Sequence, residues 1–197
     1  HNHGRNGRDM KTIAFHTLGC KVNQYDTEAM REAFERAGWT AVEFEDEAAA
    51  YLINTCTVTG TGDQKSRKLI RRVAREHPQS RIIVAGCLAQ REAEALLAMD
   101  NVALVIGVQR RAEVVALFGR ALAEGRINAV STLEGAGFES LFVTRHEGKT
   151  RATMKIQEGC DRFCAYCIIP TVRGPVRSMP LEAVRAEAKR LARAGYL

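Results

Sequence analysis

The sequence predicts an α/β fold in two parts, an amino-terminal parallel-sheet domain and the start of a second unit. Short apolar runs alternate with helical stretches between residues 11 and 123, as is typical of parallel strands joined by crossover helices. Residues 124–150 contain several glycines and mixed polarity, which indicates a connection. Residues 151–197 then follow the order strand, loop and helix.

Four apolar runs are predicted as the main strands of the parallel sheet. They are short and separated by stretches with helical periodicity. The strands comprise Thr12 to His16, Ala50 to Asn54, Ile82 to Ala85 and Val102 to Ile106, with a further short strand near Val42 to Phe44.

The first predicted helix begins at Asp26, a residue type that favours the N-cap, and ends at Gly38. Its apolar face is formed by Ala29, Met30, Ala33, Phe34 and Ala37. Three more helices are predicted over residues 63–76, 89–99 and 111–123.

The second unit is predicted to open with a strand over Ala152 to Ile156, which leads into a loop. A helical stripe follows between Pro180 and Gly195. Its apolar members are Leu181, Val184, Ala188 and Leu191.

The composition suits one globular domain, or one domain plus part of another, in a reducing compartment. The chain has 197 residues, of which 46% are hydrophobic, so a sizeable core is possible. Six cysteines are too few for a disulfide scaffold at this length. No apolar run is long enough to span a membrane and no signal segment opens the chain, so we expect a cytoplasmic location and no membrane partner. The opening residues 1–10 are expected to be a disordered tail.

Positive charge is concentrated in the second predicted helix. The formal net charge is +6 and the pI is about 9.2, which favours an anionic partner such as nucleic acid. A solvated helix face explains the same residues without a ligand. They are Lys65, Arg67, Lys68, Arg71, Arg72 and Arg75.

Three cysteines in one loop, Cys160, Cys164 and Cys167, predict a metal site. Three thiolates can hold three irons of a cubane cluster and leave the fourth iron open. A structural zinc site would need a fourth protein ligand, and no second cysteine pair or nearby histidine follows. The spacing Cys-x3-Cys-x2-Cys resembles that of radical S-adenosylmethionine enzymes.

A second set of cysteines, Cys20, Cys56 and Cys87, comes just after three of the predicted strands. Loops at the carboxyl ends of parallel strands gather at one edge of the sheet, so these side chains are expected to converge. Gly19 and Gly86 beside two of them would let the backbone approach a bulky ligand. Taken singly, each cysteine could equally be a small buried hydrophobic residue.

Three segments resemble the methylthiotransferases, a family of radical S-adenosylmethionine enzymes. They are Thr17 to Glu28 (TLGCKVNQYDTE), Asn54 to Thr59 (NTCTVT) and Lys155 to Ser178. The resemblance covers about residues 11–197. It implies an amino-terminal domain over residues 11–123 and the start of a radical S-adenosylmethionine core, with the first strand, loop and helix of a β/α barrel, over 151–197.

The resemblance implies two 4Fe-4S clusters and S-adenosylmethionine as cofactors. Cys160, Cys164 and Cys167 would hold the cluster that cleaves S-adenosylmethionine, and Tyr166 would pack near its adenine. Tyr166 could instead be a core aromatic beside the loop. Cys20, Cys56 and Cys87 would hold an auxiliary cluster that carries the sulfur. Arg173 and Arg177 could contact anionic groups or simply stabilise the loop.

The motif beginning at Cys20, CKVNQYD, is similar to the branch that acts on N6-threonylcarbamoyladenosine 37 of tRNA. This branch makes the tRNA anticodon loop the expected partner. Isopentenyladenosine 37 or an aspartate of a ribosomal protein are the substrates of the alternative branches. A two-cluster electron carrier and a zinc-bearing nucleic-acid-binding module are the non-enzymatic alternatives. The resemblance identifies no catalytic residue beyond these ligands, and neither the electron donor nor the sulfur source. The isolated chain is expected to be inactive, because family members continue with the rest of the core and a TRAM domain.

Overall fold

The computed structural model describes residues 11–57, 60–144 and 151–196, and its main feature is a six-stranded parallel sheet. The strands lie in the order β2-β1-β3-β4-β5-β6, and neighbouring strands are parallel. The predicted α/β fold with an amino-terminal parallel sheet is therefore confirmed. The strands are β1 Thr12–Thr17, β2 Thr40–Val42, β3 Ala50–Thr55, β4 Arg81–Gly86, β5 Val102–Ile106 and β6 Ile127–Asn128.

Four helices connect these strands and cover both faces of the sheet. They are α1 Lys21–Arg36, α2 Gly60–Glu76, α3 Cys87–Leu97 and α4 Val114–Glu124, the last preceded by a 3-10 turn at Arg111–Glu113. Phe34 of α1 and Phe118 of α4 belong to the core on one face. Ile70 of α2 and Leu96 of α3 belong to the core on the other. Because both faces are covered, β3 and β5 are buried along their whole length, as the apolar residues of β5 and the first four residues of β3 indicate.

The N-cap of the first helix lies six residues earlier than the sequence predicts. α1 starts at Lys21, with Cys20 in extended conformation as its N-cap residue. The prediction that Asp26 is the N-cap is wrong, because Asp26 lies inside the helix with 1% of its surface exposed. Its carboxylate is paired with Arg111 and Lys155 rather than with backbone amides. The preference of Asp for the N-cap position is a local rule, so it cannot predict partners that are distant in the sequence.

The second unit contains two short helices and a small antiparallel ladder. The elements are β7 Gln157–Glu158, α5 Ile169–Arg173, β8 Arg177–Ser178 and α6 Leu181–Arg193. The prediction of a strand over Ala152 to Ile156 is wrong, since pairing starts only at Gln157 and is antiparallel to β8. Lys155 turns inward to Asp26 instead of joining a ladder. The predicted helix between Pro180 and Gly195 is confirmed as α6.

The predicted connection, residues 124–150, contributes the edge strand β6 to the sheet. Its last six residues, 145–150, lie outside the described part of the chain, as does the predicted tail of residues 1–10. The domain boundaries therefore stay a prediction. None of the helices among the described residues has the length and apolar character needed to cross a membrane.

Candidate metal centre

The structure places Cys20, Cys56 and Cys87 at the carboxyl edge of the sheet, as the strand order predicts. Cys56 directly follows β3 and Cys87 directly follows β4, while Cys20 comes three residues after β1. These three strands are neighbours in the sheet. A Cβ atom built on Gly19 would lie 2.7 Å from Cys56 Sγ, so the loops after β1 and β3 are in close contact. The three cysteines therefore lie on neighbouring loops at one edge of the sheet, and their role as metal ligands stays a prediction.

Gly19 and Gly86 are required by the packing of the loops themselves. Both have positive φ angles, +105° and +95°, which side chains other than glycine rarely adopt. A Cβ on Gly86 would overlap Asn54 Oδ1 and the carbonyl oxygen of Thr55. The interpretation that these glycines leave room for a bulky ligand is wrong in this respect, because the protein's own atoms fill the space.

Two buried asparagines connect the cysteine loops, and the sequence reasoning did not identify them. Asn23 Nδ2 donates to the carbonyl of Leu18, at 2.8 Å, and to that of Thr55, at 2.9 Å. Asn54 Nδ2 donates to the carbonyl of Asn23 at 2.9 Å. Each asparagine lies two or three positions from a cysteine. The closeness of these asparagines to the cysteines in the sequence was the available signal. A buried amide group needs hydrogen-bond partners, and the neighbouring loops can provide them.

The environment of Cys87 differs from that of Cys20. Cys87 is 2% exposed, whereas Cys20 is exposed. Burial raises the pKa of the Cys87 thiol, the charge of Arg173 opposes that rise, and the charges of Cys56 and Cys20 add to it. Since a thiol binds metal as the thiolate, Arg173 favours the binding form.

The second cysteine set, Cys160, Cys164 and Cys167, lies in an exposed loop. The start of this loop is held by a hydrogen bond to Gly174. The Cys160 N–H donates to the carbonyl of Gly174 at 3.0 Å, and the Cys167 N–H donates to that of Cys164, also at 3.0 Å. Cys164 is exposed. Tyr166 is 94% exposed, so the alternative of a core aromatic is excluded. Its predicted contact with adenine is untested.

In the described part of the chain, no three His, Cys, Asp or Glu side chains form a group that could hold one metal ion. All six cysteines are free thiols. The donor types nevertheless suit iron, because thiolates are the usual ligands of iron–sulfur clusters. Three thiols lie at one edge of the sheet and three lie in one exposed loop. Their ligand chemistry is thus compatible with two iron–sulfur clusters.

A network of buried charges lies beside these thiols and was not predicted. Arg111 is 1% exposed and pairs with Asp26, with Glu158 at 2.9 Å and with Glu139 at 3.0 Å. Lys155 Nζ lies 2.6 Å from Asp26 Oδ1. The network therefore joins α1 and the turn before α4 to the second unit.

The charges in this network stabilise one another. Burial alone would lower the pKa of Arg111, but the charges of Asp26, Glu158 and Glu139 raise it above its ordinary value. Burial alone would raise the pKa of Glu158, yet the charges of Arg111, Lys155 and Arg173 lower it to about 2. Arg111 and Glu158 thus remain ionised at neutral pH.

The chain is similar to one described protein family and to several individual proteins. Residues 12–107 match the family described as "Uncharacterized protein family UPF0004". Over 189 residues the chain is 47% identical to Threonylcarbamoyladenosine tRNA methylthiotransferase MtaB of Bacillus subtilis, covering 95% of this chain and 42% of that protein. It is 38% identical to the protein of the same name from Aquifex aeolicus, covering 93% of this chain and 45% of that protein.

A relative that is named for a different substrate is also similar. The chain is 35% identical to Ribosomal protein uS12 methylthiotransferase RimO of Prochlorococcus marinus, covering 95% of this chain and 40% of that protein. The chain thus spans less than half the length of each of these three relatives.

Proposed function

Because the chain belongs to the methylthiotransferase family, we propose that it is part of an enzyme that methylthiolates C2 of N6-threonylcarbamoyladenosine 37 in tRNA. The observation that carries the proposal is the gathering of Cys20, Cys56 and Cys87 at one sheet edge. The identity of 47% to a relative named for this substrate supports the choice of branch. Isopentenyladenosine 37 and a ribosomal-protein aspartate are the alternative substrates.

In this proposal each cysteine set holds one 4Fe-4S cluster. Bound there, the clusters and S-adenosylmethionine would supply the electron, the radical and the sulfur that methylthiolation of an unactivated carbon requires. The chain's own residues hold and shield these groups. The buried Cys87 would anchor the auxiliary cluster away from water, and the exposed Cys20 lies on the accessible side. The Tyr166 ring, which is free on the surface, would pack against adenine.

Metal analysis after anaerobic reconstitution tests this proposal. We expect about eight irons per chain in the native protein, and about four when Cys20, Cys56 and Cys87 are replaced by alanine. Replacement of Cys160, Cys164 and Cys167 is the matched control and should also leave about four. About four irons in both the native chain and the first variant would contradict an auxiliary cluster. Zinc without iron would favour the non-enzymatic module.

The exposed face of α2 supports the choice of RNA as partner. Lys65, Lys68 and Arg71 are exposed on this helix, and among the described residues no ion pair joins them to a carboxylate. Arg72 and Arg75 share the single carboxylate of Glu76. The face thus carries excess positive charge. α2 begins four residues after Cys56, so a phosphate bound near the start of this helix would lie on the same side of the sheet as the candidate metal centre.

Neutralising this face should weaken tRNA binding. We expect the Lys65, Lys68 and Arg71 to Gln triple variant to bind tRNA about tenfold more weakly at moderate salt, because each lost phosphate contact lowers the number of released counterions. The slope of log affinity against log salt concentration should fall by about two to three. Filter binding or fluorescence anisotropy at several salt concentrations measures both.

A control with the same change in charge separates this site from a general effect of net charge. Replacing Arg185, Lys189 and Arg193 of α6 by Gln removes three exposed positive charges elsewhere. If both triple variants lose affinity equally, α2 is not the specific docking surface.

We place the activity in a reducing cytoplasm, which suits six free thiols.

A further inference from the structure

One buried side chain, Arg173, contacts residues that adjoin both cysteine sets. It lies at the end of α5 and is 5% exposed. Its Nη1 donates to Glu158 Oε1 at 2.7 Å, and its Nη2 donates to Asn23 Oδ1 at 2.5 Å. A single planar group therefore links Glu158 of the second unit to Asn23 of α1.

Each partner of Arg173 is directly connected to a cysteine loop. Glu158 lies two residues before Cys160, and Gly174, the residue after Arg173, accepts the hydrogen bond of the Cys160 amide. Asn23 donates to the carbonyls of Leu18 and Thr55, which precede Cys20 and Cys56. Displacing Arg173 would therefore disturb both cysteine sets.

Resting on the proposed function, we propose that Arg173 is a positioning residue that holds the loop of Cys160, Cys164 and Cys167 in a fixed place relative to Cys20, Cys56 and Cys87. The sulfur and the radical site must meet at one substrate carbon, so the two sets need a constant separation. Arg173 provides this by donating hydrogen bonds to Glu158 on one side and to Asn23 on the other.

Arginine suits this position better than lysine. Its guanidinium presents five donors in a rigid plane, so it can bond several acceptors in different directions at once. Removing Arg173 still leaves Glu158 paired with Arg111 and Lys155. The parallel sheet should therefore survive the substitution. The effect should appear as a change in the relative position of the two cysteine loops.

Hydrogen exchange of the metal-free chain tests the inference at two amides. The Cys160 N–H bonds the Gly174 carbonyl, and the Leu18 N–H bonds the Asn54 carbonyl at 2.8 Å. We expect Arg173→Gln to speed exchange about tenfold at both, because local opening becomes easier on both sides of the bridge. The Ala129 N–H, which bonds the Val105 carbonyl, should be unchanged. Arg173→Lys should give intermediate rates.

The pattern of exchange distinguishes positioning from local support. Faster exchange at Cys160 alone would overturn the inference, since Arg173 would then stabilise only its own loop. If Arg173→Gln also exposes Ala129, the same two amides are compared in Arg173→Lys, where a rise at both supports the bridge and a rise at one overturns it. Arg193→Gln, an exposed substitution on α6, is the control. Because no metal is present, failure of the iron analysis and failure of this test are distinguishable.

Discussion

Replacing Arg111 by methionine is expected to lower the free energy of unfolding by about 3–5 kcal/mol. Arg111 is almost completely buried and pairs with three carboxylates. Its loss would leave Asp26 with Lys155, and Glu158 with Lys155 and Arg173. The remaining carboxylates would then outnumber these cations in a region that water does not reach. Urea denaturation of the metal-free chain, followed by circular dichroism, measures the change.

Two further variants test whether the charge of Arg111 is the cause. Asp26→Asn added to Arg111→Met leaves two carboxylates, Glu139 and Glu158, with the two cations Lys155 and Arg173, so it should restore part of the lost stability. Arg120→Met removes an exposed arginine of α4 that pairs with Glu124, and should change little. A loss below about 1 kcal/mol in Arg111→Met would show that the network contributes little, as some buried ion pairs do.

This network marks the limit of what could be predicted from the sequence. The strand β5 is a continuous apolar run, β3 begins with four apolar residues, and α6 has a regular apolar stripe, so local patterns were sufficient to predict them. Asp26 was predicted as a helix N-cap because its type is common there. Its partner Lys155 is 129 positions away in the sequence. No local pattern predicts a contact between residues so far apart.

The candidate site was predictable to a similar extent. Each amino-terminal cysteine follows a strand, so topology was sufficient to bring Cys20, Cys56 and Cys87 to one edge. The polar groups that hold the loops could not be predicted in this way. Asn23 and Arg173 become partners only when the second unit packs against α1, since they are 150 positions apart.

Substituting alanine for Gly86 is expected to be the most damaging small change at the sheet edge. Gly86 has a φ of +95°, so any side chain is strained there. The added Cβ would also overlap Asn54 Oδ1 and the backbone of Thr55. We expect a loss of about 3 kcal/mol or more in the free energy of unfolding. Because Cys87 is the next residue, iron loading of the amino-terminal set should also fall.

Gly38→Ala separates the two causes of this loss. Gly38 has a similar φ of +83°, but a Cβ built there meets nothing within 4 Å. It should therefore lose only the conformational part, about 1 kcal/mol, and leave iron loading unchanged. Equal losses in the two variants would mean that the loops after β3 and β4 move apart easily. The close approach of these loops would then not be needed to place Cys87, whereas a clear difference of about 2 kcal/mol would show that it is.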